Sequence, residues 1–291
     1  MRILESGFVW IVISIYWAAQ LTRNTLAGSV SQPAFLSPRM LYWPLHPTDD
    51  ERSTVMRIVV HIPARSEWRA LLSELPTHSP SQLVPVGEVI TIDCSTTSSP
   101  IELVVLRGGV GKIRAAASTQ YAICTWQPDL YVVLGTAGAV DPTVQELDLV
   151  WATQTIISDF QHALTTTTIN TLITDHHMRC PHDWSACLFP LPVRPGVVAT
   201  ADGDVTHHNV SWLHTTFAAT IADWESGAIA YVCAVNAIPW LILRGVSDVP
   251  TTPPDHQYQR FQHNTPLVMQ RLWSLVPSVL TAAPLILKQQ A

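Results

Sequence analysis

The stretch "IELVVLRGGVGKIRAAASTQYAICTWQPDLYVVLGTAGAV", residues 101–140, reads as strand, glycine break, helix and strand. Ile101 to Leu106 is apolar apart from Glu102 and rich in β-branched residues, and the run breaks at Gly108, Gly109 and Gly111. The alanine-rich segment from Lys112 to Trp126 is helix-forming. The second strand, Leu130 to Leu134, ends in the small residues of "GTAGAV". Strands that alternate with helices form a sheet covered on both faces, so the chain is expected to be α/β.

Working outward, "MRIVVHIP" (Met56 to Pro63) is a short buried strand, and "SEWRALLSEL" (Ser66 to Leu75) a helix with Ser66 as its N-cap. "VGEVITIDCS", "DLVWATQTIIS" and "PGVVATADG" add strands. A last helix runs through "TPLVMQRLWSLVPSVL", with a break expected at Pro277. The threonine run Thr165 to Thr168 reads as a loop or strand margin. In sheets of this kind ligands bind beyond the carboxyl ends of the strands.

Length and composition narrow the function. The 291 residues suffice for one large α/β domain with an extension. Charged residues are only 13% against 47% hydrophobic, which implies a surface partly covered by a partner subunit. The net charge of −6, without a Lys/Arg cluster, offers nothing to displace counterions from a nucleic-acid polymer and leaves a small molecule as the expected ligand. Five cysteines without a repeated spacing read as reduced thiols, which favours the cytoplasm.

Residues 1–55 are read as an extension, apart from a domain at 56–285. Its apolar part, "FVWIVISIYWAA" (Phe8 to Ala19), is short against the roughly 20 residues that cross a bilayer. As an export signal it has a weak leader, with Arg2 offset by Glu5. Three readings stand: a dispensable extension, a signal or membrane anchor through residues 8–21, and a structural helix.

Two clusters invite a chemical reading. Gly108, Gly109, Gly111 and Lys112 suggest a phosphate loop, but that motif needs glycine at Leu106 and Ser or Thr at Ile113. A tight strand-to-helix turn explains the glycines equally well. "HHMRCPHDWSAC" (His176 to Cys187) suggests a metal, yet its spacing matches no zinc motif and a polar loop is expected.

Five segments, "MRIVVHIPARSEW", "RGGVGKIRAAAS", "LGTAGAV", "DWESGAIAYVC" and "LRGVSD", follow the order and approximate spacing of the nucleoside phosphorylase superfamily. The chain most resembles its 5′-methylthioadenosine/S-adenosylhomocysteine nucleosidase branch, over about Met56 to Leu280. The resemblance implies a single domain with a mixed, twisted, partly barrel-like sheet flanked by helices. It also implies a homodimer that hydrolyses a purine nucleoside or thionucleoside to free base and sugar. Such chemistry passes through an oxocarbenium-like sugar and calls for no metal or organic cofactor.

The resemblance assigns roles residue by residue. Asp248 occupies the position of the general acid for purine N7, and burial at the end of the apolar "WLIL" strand would raise its pKa and keep its proton. Glu225 matches the glutamate that binds the ribose hydroxyls, although a Glu in a first helical turn also favours a helix dipole. Asp223 stands where a second acid is common. Glu67 aligns with the glutamate that activates water, in the altered context "PARSE". Thr136, Ala137, Gly138 and Ser247 belong to the substrate-binding turns.

The departures leave alternatives open. Phosphorylases of the superfamily carry an arginine at the position of Val133, and a valine makes no contact to phosphate. Water is therefore favoured as nucleophile, with phosphorolysis through Arg65 or Arg107 as the alternative. Asp204 stands at an aromatic position and Val205 at the aliphatic one beside the base. Trp224 replaces a methionine beneath the ribose, where sugar stacking and core packing are both open. These changes also admit a nucleoside sensor without turnover.

Overall fold

The computed structural model describes residues 55–94, 100–159, 177–250 and 254–288. The N-terminal apolar stretch, the threonine run and His176 lie outside them. The elements run β1 (Met56–Ile62), α1 (Arg65–Leu72), β2 (Gln82–Val84), β3 (Gly87–Asp93), β4 (Ile101–Arg107), α2 (Lys112–Trp126), β5 (Leu130–Ala139) and β6 (Leu149–Ile157). They continue as β7 (His177–Arg179), β8 (Val193–Thr200), α3 (Val210–Phe217), β9 (Ile221–Asp223), α4 (Ser226–Val235), β10 (Trp240–Asp248) and α5 (Pro254–Lys288).

One mixed sheet joins the strands, and β5 is its pivot. On one side β1 runs parallel between β5 and β4, and β3 and β2 extend the sheet antiparallel. On the other side the sheet closes into a ring. There β5 pairs with β10, β10 with β6, β6 with β8, β8 with β9, and β9 returns to β5. Closure removes free edges and fixes strand positions through their ladders, which is the partly barrel-like sheet expected from the sequence.

The apolar runs are continuous because both faces are covered. Along β1, Ile58, Val60 and Ile62 pack with α1 and α5, while Val59 faces the layer of α2 and α4. The same alternation divides β5, with Leu130, Val132 and Leu134 in the first layer and Tyr131 and Val133 in the second. Val133, where a phosphorylase would carry arginine, is fully buried in this layer. All five cysteines are free.

Two local expectations are corrected. Helix α1 begins at Arg65, one residue before Ser66, and its N-cap is Ala64. Glu67, at the third helical position, accepts from the Ala64 amide at 3.0 Å and supplies the capping bond that Ser66 does not. Helix α5 does not break at Pro277 but runs through Pro266, Pro277 and Pro284. A proline inside a helix costs about 3 kcal/mol. Val268, Met269, Leu272, Leu275 and Val279 are essentially inaccessible along this helix, and burying each contributes about 1.5–3 kcal/mol. Packing therefore outweighs the prolines.

Candidate active site

The carboxyl ends of β5 and β10 lie side by side, and the candidate residues collect around them. The β5–β10 register shifts between Val246 and Asp248, so that Asp248 comes to stand opposite Gly138. Ser247 donates to Asp248 Oδ1 at 2.5 Å and to the Ala137 carbonyl at 3.3 Å, tying the two strand ends together. Asn264 on α5 donates to the Ser247 carbonyl at 2.8 Å. Asp248 is buried, and burial pushes its carboxyl above the usual range. Asp204 and Glu146 add to the rise, while the bonds from Ser247 and Gln257 oppose it.

Strand β5 does not end at Leu134 in a turn, as its small residues suggest, but continues to Ala139, and two residues before Gly138 Glu67 Oε1 accepts from the Thr136 amide and hydroxyl, both at 2.7 Å. Its capping bond to Ala64 and this grip on Thr136 hold a buried carboxylate at the lip of β5. The first turn of α1 is thus fastened to the pivot strand by the side chain expected to activate water.

Between these ends sits Arg244, fully buried on β10. Its Nη2 lies 2.6 Å from Asp223 and 3.4 Å from Glu225, its Nε donates to Ser226 at 3.1 Å, and its Nη1 approaches the Thr136 carbonyl at 3.5 Å. Burial works against the guanidinium charge, and Asp223, Glu225 and Glu67 all restore it. Gly135 makes room for this group. A Cβ there would stand 2.1 Å from Arg244 Nη1 and 3.0 Å from Glu67 Oε1. Gly135→Ala is therefore expected to lower stability by about 1–3 kcal/mol through overpacking, read as a lower urea midpoint, with loss of turnover.

Asp223 and Glu225 divide the labour. Asp223 accepts from Thr200 at 2.7 Å and from the Ser226 amide at 3.2 Å, and also from the Ser226 hydroxyl and Arg244. It thus caps α4 and anchors the arginine. Glu225 accepts from the Gly111 amide at 2.9 Å. Gly111 presents that amide from a backbone at φ +84°, which favours glycine. Burial pushes Glu225 up to about 8, against the pull of Arg244. A positive charge developing nearby would draw it back toward the carboxylate.

The glycine turn is not a free phosphate cradle. The Gly111 amide is bound to Glu225, the Lys112 amide donates to Asp202 at 2.9 Å, and the Lys112 ammonium pairs with Asp159. Arg107 pairs with Glu88 at 3.2 Å, and Arg65 is exposed. Among the described residues no group of three His, Cys, Asp or Glu side chains is placed to hold a metal.

Val205 packs on Gly138, where a Cβ would come within 2.4 Å of its Cγ1. Its carbonyl and Asp248 Oδ2 are bridged by Gln257 of α5. Val205, Asp204 and Asp223 line a neighbouring cleft of about 40 Å³, together with Ser158, Asp159 and Trp212. Trp224 lies between two buried acids and is itself 39% exposed.

Arg244 and Gln257 escaped the sequence reading. A signal for the arginine was present: in a strand buried on both faces a lone cation requires buried anions, and Asp223 and Glu225 lie within the same segment. Gln257 had no local signal, since its partners come from β10 and the loop after β8.

A mixed sheet closed around β5, with carboxylates at the strand ends, defines the class. Residues 71–281 match the model of the phosphorylase superfamily, and the chain belongs to that family. It is 25% identical over 186 residues to a 5′-methylthioadenosine/S-adenosylhomocysteine nucleosidase of Bacillus pumilus, covering 59% of this chain and 80% of that one. The corresponding enzyme of Anoxybacillus flavithermus is 25% identical over 204 residues, covering 65% and 87%. Among solved structures, the S-adenosylhomocysteine nucleosidase of Streptococcus pyogenes, in complex with 5-methylthiotubericidin, has a TM-score of 0.64 at 19% identity, covering 78% of this chain and 97% of the other. A futalosine hydrolase mutant of Helicobacter pylori has a TM-score of 0.60 at 18% identity, covering 76% and 99%.

Proposed function

We propose that the chain hydrolyses the N-glycosidic bond of a purine nucleoside or thionucleoside, with methylthioadenosine- and adenosylhomocysteine-like compounds as the first substrates to test. The observation that carries this reading is the placement of two buried carboxyl groups along the last residues of β5, Glu67 at Thr136 and Asp248 at Gly138. Asp248 is raised and suited to protonate a leaving base, and Glu67 is held beside Thr136 to orient water. Glu225, steadied by Arg244 and Gly111, faces the sugar and supports its developing charge. Trp224 offers a face for the ribose or its 5′ group. Thr136, Ala137 and Gly138 let the substrate approach the backbone closely, and Asp223 acts through Arg244.

Water is favoured over phosphate because Val133 is buried in the core, Lys112 and Arg107 are paired with carboxylates, and Arg244 is engaged by Asp223. Incubation with methylthioadenosine, adenosylhomocysteine, adenosine and inosine, with and without phosphate, tests the reading. Free base and a reducing sugar in phosphate-free buffer are expected. Strict phosphate dependence with a sugar 1-phosphate would instead establish a phosphorylase, and binding without turnover a sensor. Glu67→Gln is expected to reduce kcat about 10²-fold with a modest change in KM, checked by initial rates.

The same reading places the enzyme in the cytoplasm as a homodimer. The free thiols support the first, and exposed apolar side chains such as Ile113 and Tyr231 support the second. Light scattering of the purified protein tests the assembly. Among the described residues no helix is long and apolar enough to cross a membrane.

A further inference from the structure

Gln257 makes a contact that neither the fold nor the proton transfer requires. Its Nε2 donates to the Val205 carbonyl at 2.9 Å and to Asp248 Oδ2 at 2.7 Å. Both partners are acceptors, so the amide nitrogen and not its oxygen must face them. The helix that carries it is fixed by other means. Arg260 and Asn264, three and seven residues on and so along the same face of α5, hold Glu146 and the Ser247 carbonyl.

We propose that Gln257 is a built-in competitor for the base: its carboxamide occupies the place that the exocyclic amine of a 6-aminopurine takes in the complex. The proposal rests on the nucleosidase reading above. In a purine, N7 and the substituent at C6 share one edge. A carboxyl group that serves N7 therefore holds its surroundings beside that substituent. At Asp248, Ser247 bonds Oδ1 and Gln257 bonds Oδ2, with the Val205 carbonyl as second acceptor for the same nitrogen. An amine can take over both hydrogen bonds one for one. A 6-oxo group would set an acceptor against a carbonyl and a carboxyl group, leaving those groups without a donor.

The side chain is free to leave that position. Gln257 is partly exposed and has three rotatable side-chain bonds, so a rotamer change vacates the position without moving α5.

The test is calorimetric titration of adenine into the full-length protein and into Gln257→Ala and Gln257→Met, the second of which keeps the bulk but cannot donate. Thermal melts verify that both variants are folded. Removing two competing hydrogen bonds is expected to tighten adenine binding about tenfold in Gln257→Ala and several-fold in Gln257→Met. Unchanged affinity in both variants would overturn the proposal while leaving the base site intact. Weaker binding would overturn it by showing that Gln257 holds the bound base. Absence of adenine binding in all three proteins would overturn the base site as well.

Discussion

Asp248→Asn is expected to lower kcat by about 10²- to 10⁴-fold while KM stays within a few-fold of the parent. Asparagine keeps the shape of the side chain but has no proton to give. The sign of the pH dependence follows from the raised carboxyl. The acid works when protonated, so turnover is level below its pKa and falls tenfold per unit as pH rises above it. Because the folded value exceeds the unfolded one, the group's contribution to stability is also full at low pH and lost as pH rises through the folded value. Rate measurements across pH check both the size and the slope. A variant that turns over near the parental rate would rule out Asp248 as the proton donor.

Arg244→Met is expected to have the largest effect on stability. It leaves Asp223 and Glu225 buried without the cation they share, and breaking a buried ion pair in this way costs about 3–5 kcal/mol. Urea unfolding at neutral pH measures it. The deficit should shrink from pH 9 to pH 6, because Glu225, pushed up to about 8 even beside the arginine, takes up its proton across that range and no longer needs the cation. A loss that is the same at both pH values would mean that packing, and not charge, is what the arginine supplies. Arg244→Lys keeps the charge but not the planar fork, and should fall between the two.

The sheet was legible because both-face burial writes apolar runs into β1, β4, β5 and β10, and glycines mark where those runs turn. Ring closure was expected only through the resemblance, since pairing between β5 and β10 leaves no local trace. For the site, acids at strand and helix ends stood out in "DWES" and "VSD". What each acid touches did not. Asp223 proved to be bound to Thr200, Ser226 and Arg244, whereas Glu225 reaches Gly111 at the start of α2, 114 residues earlier. The helix ends were misjudged where distant packing outweighed propensity, as at Pro277.

The ring of strands also bears on how the chain is made. Ser247 and Ala137, which join the two halves of the site, are 110 residues apart. During synthesis β5 and β6 emerge long before β10, the strand that bridges them, and until it docks both present unpaired backbone. A nascent chain halted before Trp240 would thus lack Arg244 and Asp248 and be prone to pair its open strands with those of another chain.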